Sequence, residues 1–361
     1  YVTDQEPQEF TFEYQGSGTS VAEYAFTFED EQTTVELSKA DLTDKKELPG
    51  ASLKVTDEDG NTVDEWVSKE EAHIIKGLIV GKKYKMTETK PADGYVTAES
   101  IEFTVENTKE VQKHQMLDDV TKVEISKKDI TDSSEVPGAK LIILDKDGKK
   151  VESWTSTDKP HMVEKLAVGE YTLREEQAPD GYLIAEDVKF TVKDTGKVQK
   201  VKMKDAHPYG KLVIKKTDST SKAALSGAEF ELREKESGKV VEKLVTDKTG
   251  TATSGKIPIA TYKNGKVEKT VEYILVETKA PNGYELSSKK EEIRFEYKDG
   301  KTKVIEIVKE IKNTKSPSGS TPTGNSPKTG DSTNIWLPIL LAVLSACGIG
   351  GVIWYKKKKG N

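Results

Sequence analysis

"VEISKKDITDSSEVPGAKLIIL", Val123 to Leu144, decides how the chain is read. Val123, Ile125 and Lys127 alternate with their neighbours, the period of a strand with one buried face. The lysine stands where that face requires an apolar side chain. The same pattern opens at Val35 ("VELSKADLTDKKELPGASLKV") and at Leu212 ("LVIKKTDSTSKAALSGAEFEL"). Lys39, Lys127 and Lys216 are 88 and 89 residues apart (127−39 and 216−127). A repeat of that length is a small domain, and such repetition decides the architecture.

A second element recurs in phase. It reads "TETKPADGY" (Thr87–Tyr95), "REEQAPDGY" (Arg174–Tyr182) and "VETKAPNGY" (Val276–Tyr284). The strand before each ends in an acid on its apolar face: Tyr84, Met86 and Glu88; Tyr171, Leu173 and Glu175; Tyr273, Leu275 and Glu277. Glu176 falls on the opposite face, so Glu175 is the equivalent acid in the second unit. Each unit then closes on a third polar group: Asp118 in "HQMLDD", Asp205 in "VKMKDAHP" and Asn313 in "VKEIKNTK". A lone buried Lys or Glu is costly, so each needs partners. First and last strands can be neighbours in a sandwich, so the three groups can meet. "DEDGN" (Asp57–Asn61) and "DKDGK" (Asp145–Lys149) are Asp-Gly hairpin turns. The spacing predicts β-strands throughout, with no helical period before the C-terminal run, and a sandwich or partly open barrel per unit.

Composition agrees with several small domains. The 361 residues are 33% charged and 34% hydrophobic, with a net charge of −6. That mixed acidic surface argues against nucleic-acid binding, which needs a basic face. The one cysteine, Cys347, lies in the apolar run, which leaves the rest without disulfides or thiolate metal sites. "DEDGN" is no calcium loop, because position twelve counted from Asp57 is Ser68 rather than Glu. His73, His114, His161 and His207 have no metal-ligand spacing, and no metal or cofactor is expected. Trp66 and Trp154, in matching places, read as packing residues.

The C-terminus carries its own message. Residues 335–355, "IWLPILLAVLSACGIGGVIWY", lack any charge and are long enough to cross a bilayer. Four lysines follow in the basic tail 356–361, placing that end in the cytoplasm and the repeats outside. A Pro/Ser/Thr/Gly linker, 315–334, precedes the span and contains Ser326, Pro327, Lys328, Thr329 and Gly330. This order of motif, span and positive tail resembles the cell-wall sorting signal of Gram-positive surface proteins, usually Leu-Pro-any-Thr-Gly; Ser326 stands in place of the leucine. The resemblance implies a sortase as partner, cleavage between Thr329 and Gly330, and covalent attachment to peptidoglycan. The precursor would be held in the membrane until sorted, and the mature protein would be extracellular and wall-anchored.

The buried trios suggest chemistry. An amine attacks a carbonyl only when neutral, and burial disfavours the ammonium form. Burial likewise favours a neutral carboxyl, which can polarise the Asp or Asn carbonyl and deliver a proton to the leaving group. Water leaves from Asp, ammonia from Asn, and an isopeptide bond remains. No cofactor is needed, because proximity in a folded core supplies much of the rate.

Residues 35 to 314 resemble the SpaA-type or CnaB-type domains of Gram-positive pilins and adhesins. The strand ending in Lys-x-Asp, the "LPGA", "VPGA" and "LSGA" turns, the Glu-containing "APDGY" segment and the terminal Asp or Asn carry the likeness. The resemblance implies an all-β chain of tandem transthyretin-like β-sandwich domains, 34–120, 121–208 and 209–314, followed by the linker and a transmembrane helix. It implies isopeptide bonds Lys39–Asp118, Lys127–Asp205 and Lys216–Asn313, promoted by Glu88, Glu175 and Glu277. The third unit is longer, by an insertion around "GKIPIATYKNGKVEK". Residues 1–33 read as the end of a truncated preceding domain, with Glu23–Thr33 its last strand and Asp30 its acceptor.

The expected role is a stalk that presents an adhesive N-terminal region. The alternatives are an adhesin whose repeats bind a host matrix protein or glycan, and a pilus subunit, although no Tyr-Pro-Lys pilin motif occurs. An enzyme acting on an external substrate is not expected, since the trios would consume themselves.

Overall fold

The alternation at Val35 becomes strand β1 (Thr34–Asp41), in which Val35, Leu37, Lys39 and Asp41 are buried and the residues between them are largely not. The computed structural model describes residues 30–317 continuously, with residues 1–2, 9–14, 16–18, 23, 25 and 27 ahead of them. The sorting motif Ser326–Gly330, the span 335–355 and the tail 356–361 lie outside the described residues. Among the described residues there is no helix, and so none long and apolar enough to cross a membrane.

The first domain continues with β2 (Ser52–Thr56), β3 (Thr62–Val67), β4 (His73–Lys76), β5 (Lys83–Lys90), β6 (Ile101–Thr104) and β7 (Gln112–Asp118). They form two facing sheets, ordered β4-β1-β7 and β3-β2-β5-β6. The second domain repeats this with β8 (Lys122–Asp129), β9 (Lys140–Asp145), β10 (Lys150–Thr155), β11 (His161–Glu164), β12 (Gly169–Gln177), β13 (Val188–Val192) and β14 (Gln199–Asp205). Its sheets are β11-β8-β14 and β10-β9-β12-β13.

The third domain keeps the frame and adds to it. Its strands are β15 (Tyr209–Asp218), β16 (Glu229–Glu234), β17 (Val240–Val245), β18 (Thr251–Thr253), β19 (Ile257–Pro258), β20 (Ala260–Lys263), β21 (Lys266–Thr270), β22 (Glu272–Lys279), β23 (Glu291–Arg294) and β24 (Val304–Asn313). One sheet gathers β18, β19 and β24 on β15, and the other runs β17-β16-β22-β23. The insertion read from the sequence forms the separate hairpin β20–β21.

Each domain has its own core between its sheets, as in Val35, Leu37, Leu53, Met86, Phe103 and Met116 of the first. The "DEDGN" and "DKDGK" segments are hairpin turns, with Gly60 and Gly148 at φ of 84° and 79°. The turn before β2 is fixed by a buried hydroxyl: Ser68 Oγ donates to Leu48 O at 2.6 Å and accepts from Ala51 N at 2.9 Å. Ser156 and Thr246 repeat the arrangement, which satisfies backbone groups that no ladder reaches.

First and last strands pair in parallel in every domain. Parallel neighbours cannot be joined by a tight hairpin, so the rest of the domain is the crossover. The pairing brings the ends of both strands to one edge of the sandwich.

Glu23, Ala25, Thr27 and Asp30 lie in no strand, Asp30 is exposed, and an isolated bridge joins Val2 to Glu31. A strand needs a neighbour's ladder for its N–H and C=O groups, and none of the described strands pairs with this segment.

Candidate functional site

The register explains how lysine and acceptor meet. Lys39 lies opposite Met116, and Asp41 lies opposite Asp118. Residues two apart on neighbouring strands share a face, so Asp118 stands diagonally beside Lys39. Lys127 and Lys216 lie opposite Met203 and Ile311 in the same way, with Asp205 and Asn313 opposite Asp129 and Asp218. The glutamates arrive from the facing sheet, on β5, β12 and β22.

The structure brings together all nine residues of the three trios. Lys39 Nζ contacts Asp118 Oδ1 and lies 3.0 Å from Glu88 Oε1. Lys127 Nζ contacts Asp205 Oδ1 and lies 3.0 Å from Glu175 Oε2. Lys216 Nζ contacts Asn313 Oδ1 and lies 3.5 Å from Glu277 Oε1. The three lysines are at most 2% exposed, among the largest fully buried side chains.

Charge in such a place is unstable. Burial lowers the pKa of Lys39 and of Lys216, against the pull of Glu88 and Glu277. Burial raises Asp205 well above the ordinary carboxylate range; Lys127 opposes the rise, and Glu175 adds to it. In the aspartate sites Asp118 Oδ2, Glu175 Oε1 and Asp205 Oδ2 are buried without a hydrogen-bond donor, whereas Glu88 Oε1 faces Lys39 Nζ. In the second site burial favours a protonated Asp205, whose own O–H is then a donor among these oxygens. The asparagine site needs no such proton, because Asn313 Nδ2 donates to Glu277 Oε1 and Oε2 at 3.0 and 3.1 Å.

The arrangement suits condensation of a neutral amine with a carboxyl or carboxamide. The Nζ–Cγ bond forms, and the bond to Oδ2 or Nδ2 breaks. In the asparagine site Glu277 lies between the attacking Lys216 Nζ and the leaving Asn313 Nδ2, placed to take the proton that the amine sheds and pass it to the departing ammonia.

Two contributions were missed in the sequence. Oε2 of each glutamate is fixed by a backbone N–H ten residues on: Ala98 to Glu88 at 2.6 Å, Ala185 to Glu175 at 2.7 Å and Ser287 to Glu277 at 2.9 Å. A main-chain donor leaves no residue-type signal. The tyrosine of each "GY" pair also donates to the aspartate of the Lys-x-Asp strand: Tyr95 to Asp41 at 2.8 Å, Tyr182 to Asp129 at 2.7 Å and Tyr284 to Asp218 at 2.9 Å. Here a signal existed, since both motifs recur in phase.

These aspartates are held ionised. Burial raises Asp41, but the Thr43 N–H, the Tyr95 hydroxyl and Lys165 outweigh it and bring the pKa to about 2. N–H groups of Ser221 and Thr220 likewise bring Asp218 to about 2. A depressed carboxylate contributes stability in full above its unfolded pKa and loses it as pH falls through the folded one. Calorimetry from about pH 5 down to about pH 2 is therefore expected to show a falling Tm. Asp41→Asn is expected to flatten that fall for the first domain.

Trp66 and Trp154 stack on His73 and His161 at centroid distances of 4.1 and 4.4 Å, an inter-strand packing role. Among the described residues no group of His, Cys, Asp and Glu is arranged to hold a metal.

The profile of the SpaA prealbumin-like fold domain matches residues 33–119, 121–207 and 210–311. The chain belongs to this family. Its SpaA domains are similar to the Bacillus anthracis TIE protein, at 27% identity and a TM-score of 0.53, over 79% of this chain and 52% of that one. The chain thus spans about half the length of that relative. Two solved pilin structures match at lower identity. The major pilin subunit BcpA of Bacillus cereus is 18% identical, with a TM-score of 0.47 over 79% of this chain and all of that one. A streptococcal ancillary pilin is 16% identical, with a TM-score of 0.31 over 80% and 100%. No curated protein sequence matches the chain.

Proposed function

We propose that the chain is the stalk of a wall-anchored surface protein. Its three SpaA domains each lock themselves by one isopeptide bond: Lys39–Asp118, Lys127–Asp205 and Lys216–Asn313. Glu88, Glu175 and Glu277 promote the bonds, and the protein turns over no external substrate. The observation that carries this reading is the same buried trio, built three times across the first and last strands. Tension along the chain enters and leaves each domain through those two strands, so a covalent tie between them carries the load.

Anchoring follows from the C-terminal order of motif, apolar run and lysines. A sortase cleaves between Thr329 and Gly330 and joins Thr329 to peptidoglycan. The membrane span holds the precursor until then, and the domains stand outside the cell. Fractionating Gram-positive cells that express the chain tests this. Muramidase is expected to release the wild-type protein, whereas Thr329→Ala is expected to stay with the membranes. Release of both alike would remove the sorting signal from the account, and a ladder of covalent multimers would mark a pilus shaft.

A further inference from the structure

Three residues separate the last strand of one domain from the first strand of the next: Asp119–Thr121 at the first joint and Ala206–Pro208 at the second. Domains joined this way still swivel unless their contact is tight. Both joints are built on the Gly-Tyr turn of the preceding domain.

At the first joint, Lys165 of the second domain donates to the Tyr95 hydroxyl at 2.6 Å, lies 3.4 Å from Asp41 Oδ2 and sits over the Tyr95 ring. The neighbouring Gly94 admits the Lys165 backbone; a Cβ there would stand 2.5 Å from the Lys165 carbonyl oxygen. Asp194 accepts from Thr97 N and Oγ1 at 2.9 and 2.7 Å. The linker is itself tied down, with Thr121 N donating to Gly94 O and Thr121 Oγ1 to Leu166 O.

At the second joint the same turn meets the inserted hairpin. Tyr262 stacks face to face on His207 at 3.5 Å, meets the edge of Tyr182 at 5.2 Å, and donates to Gly181 O at 2.8 Å. His207 is held on its other side by Asp129 Oδ2 at 2.8 Å. A Cβ on Gly181 would overlap Val267, and one on Gly265 would overlap the Glu135 carbonyl. Tyr297 donates to Tyr182 O at 3.0 Å, and Ile184 N donates to Gly300 O at 2.8 Å. The equivalent Gly283 has no atom within 4 Å of its Cβ position.

We propose that the Gly-Tyr turn is a socket for the following domain, and that hairpin β20–β21 is a clamp holding the second and third domains in one fixed orientation. The insertion, which the trio does not use, thereby acquires a role: it stiffens the joint between the second and third domains. The inference is independent of whether the isopeptide bonds form.

The test is a distance distribution between spin labels in the full chain. Cys347→Ser removes the only native thiol, and Lys146→Cys and Lys248→Cys place labels on exposed positions of the second and third domains. The socket predicts one narrow distribution, broadened at least about twofold by His207→Ala with Tyr262→Ala. A second pair within the third domain, Lys248→Cys with Lys290→Cys, is expected to stay narrow and so separates loosening from unfolding. If that pair also broadens, Tyr297→Phe replaces the double substitution, and broadening across the joint alone is again expected. A broad distribution in the parent chain, or one that the joint substitutions leave unchanged, overturns the proposal.

Discussion

Glu175→Gln is expected to leave Lys127 and Asp205 unjoined, so that the chain gains about 18 Da beyond the substitution itself. Gln keeps the shape of the side chain and an oxygen for the Ala185 N–H, but an amide cannot take up and pass on a proton as a carboxyl does. The fold should therefore form while the chemistry fails. The lost bond spans 78 residues. Treated like a disulfide that closes a loop of this size, it constrains the unfolded chain by about 4–5 kcal/mol. For a domain this small that corresponds to a Tm lower by on the order of 20 °C. Calorimetry is expected to show the middle domain melting first, apart from its neighbours. An unchanged mass and melting profile would mean that Glu175 has no part in any bond.

The second large effect is mechanical. With Lys127 joined to Asp205, force passes from β8 into β14 through the side chains, and the residues between never bear it. Pulling the wild-type chain is expected to give no unfolding step from the middle domain. Lys127→Ala removes the tie, and the 78 residues then extend at about 3.3–3.6 Å each, a step of roughly 260 Å before the folded separation is subtracted. Lys39→Ala and Lys216→Ala should each release a step from their own domain only. Identical traces from wild type and variants would show that the terminal strands carry no covalent tie.

How much of this was legible in the sequence depends on the range of the interaction. The period of two in Val35-Leu37-Lys39 is local, and it correctly buries Lys39 as well as the apolar residues. The same period separates Glu175, buried, from Glu176, exposed. The neighbouring of first and last strands was inferred from architecture, but their parallel sense and their register are contacts across a whole domain. Nothing in the residue types specifies the Ala185 N–H that fixes Glu175, since any residue but proline supplies it. The docking of Tyr262 on His207 joins residues of different domains, and the insertion read from the sequence carried no hint of where it would pack.

The most direct test of the account is the intact mass of the 361-residue chain, about 39.9 kDa if unmodified. Three bonds predict a deficit of about 53 Da, roughly 18 for each aspartate bond and 17 for the asparagine bond. A mass equal to the sum of its residues would contradict it, and the trios would then be buried polar networks without a covalent product.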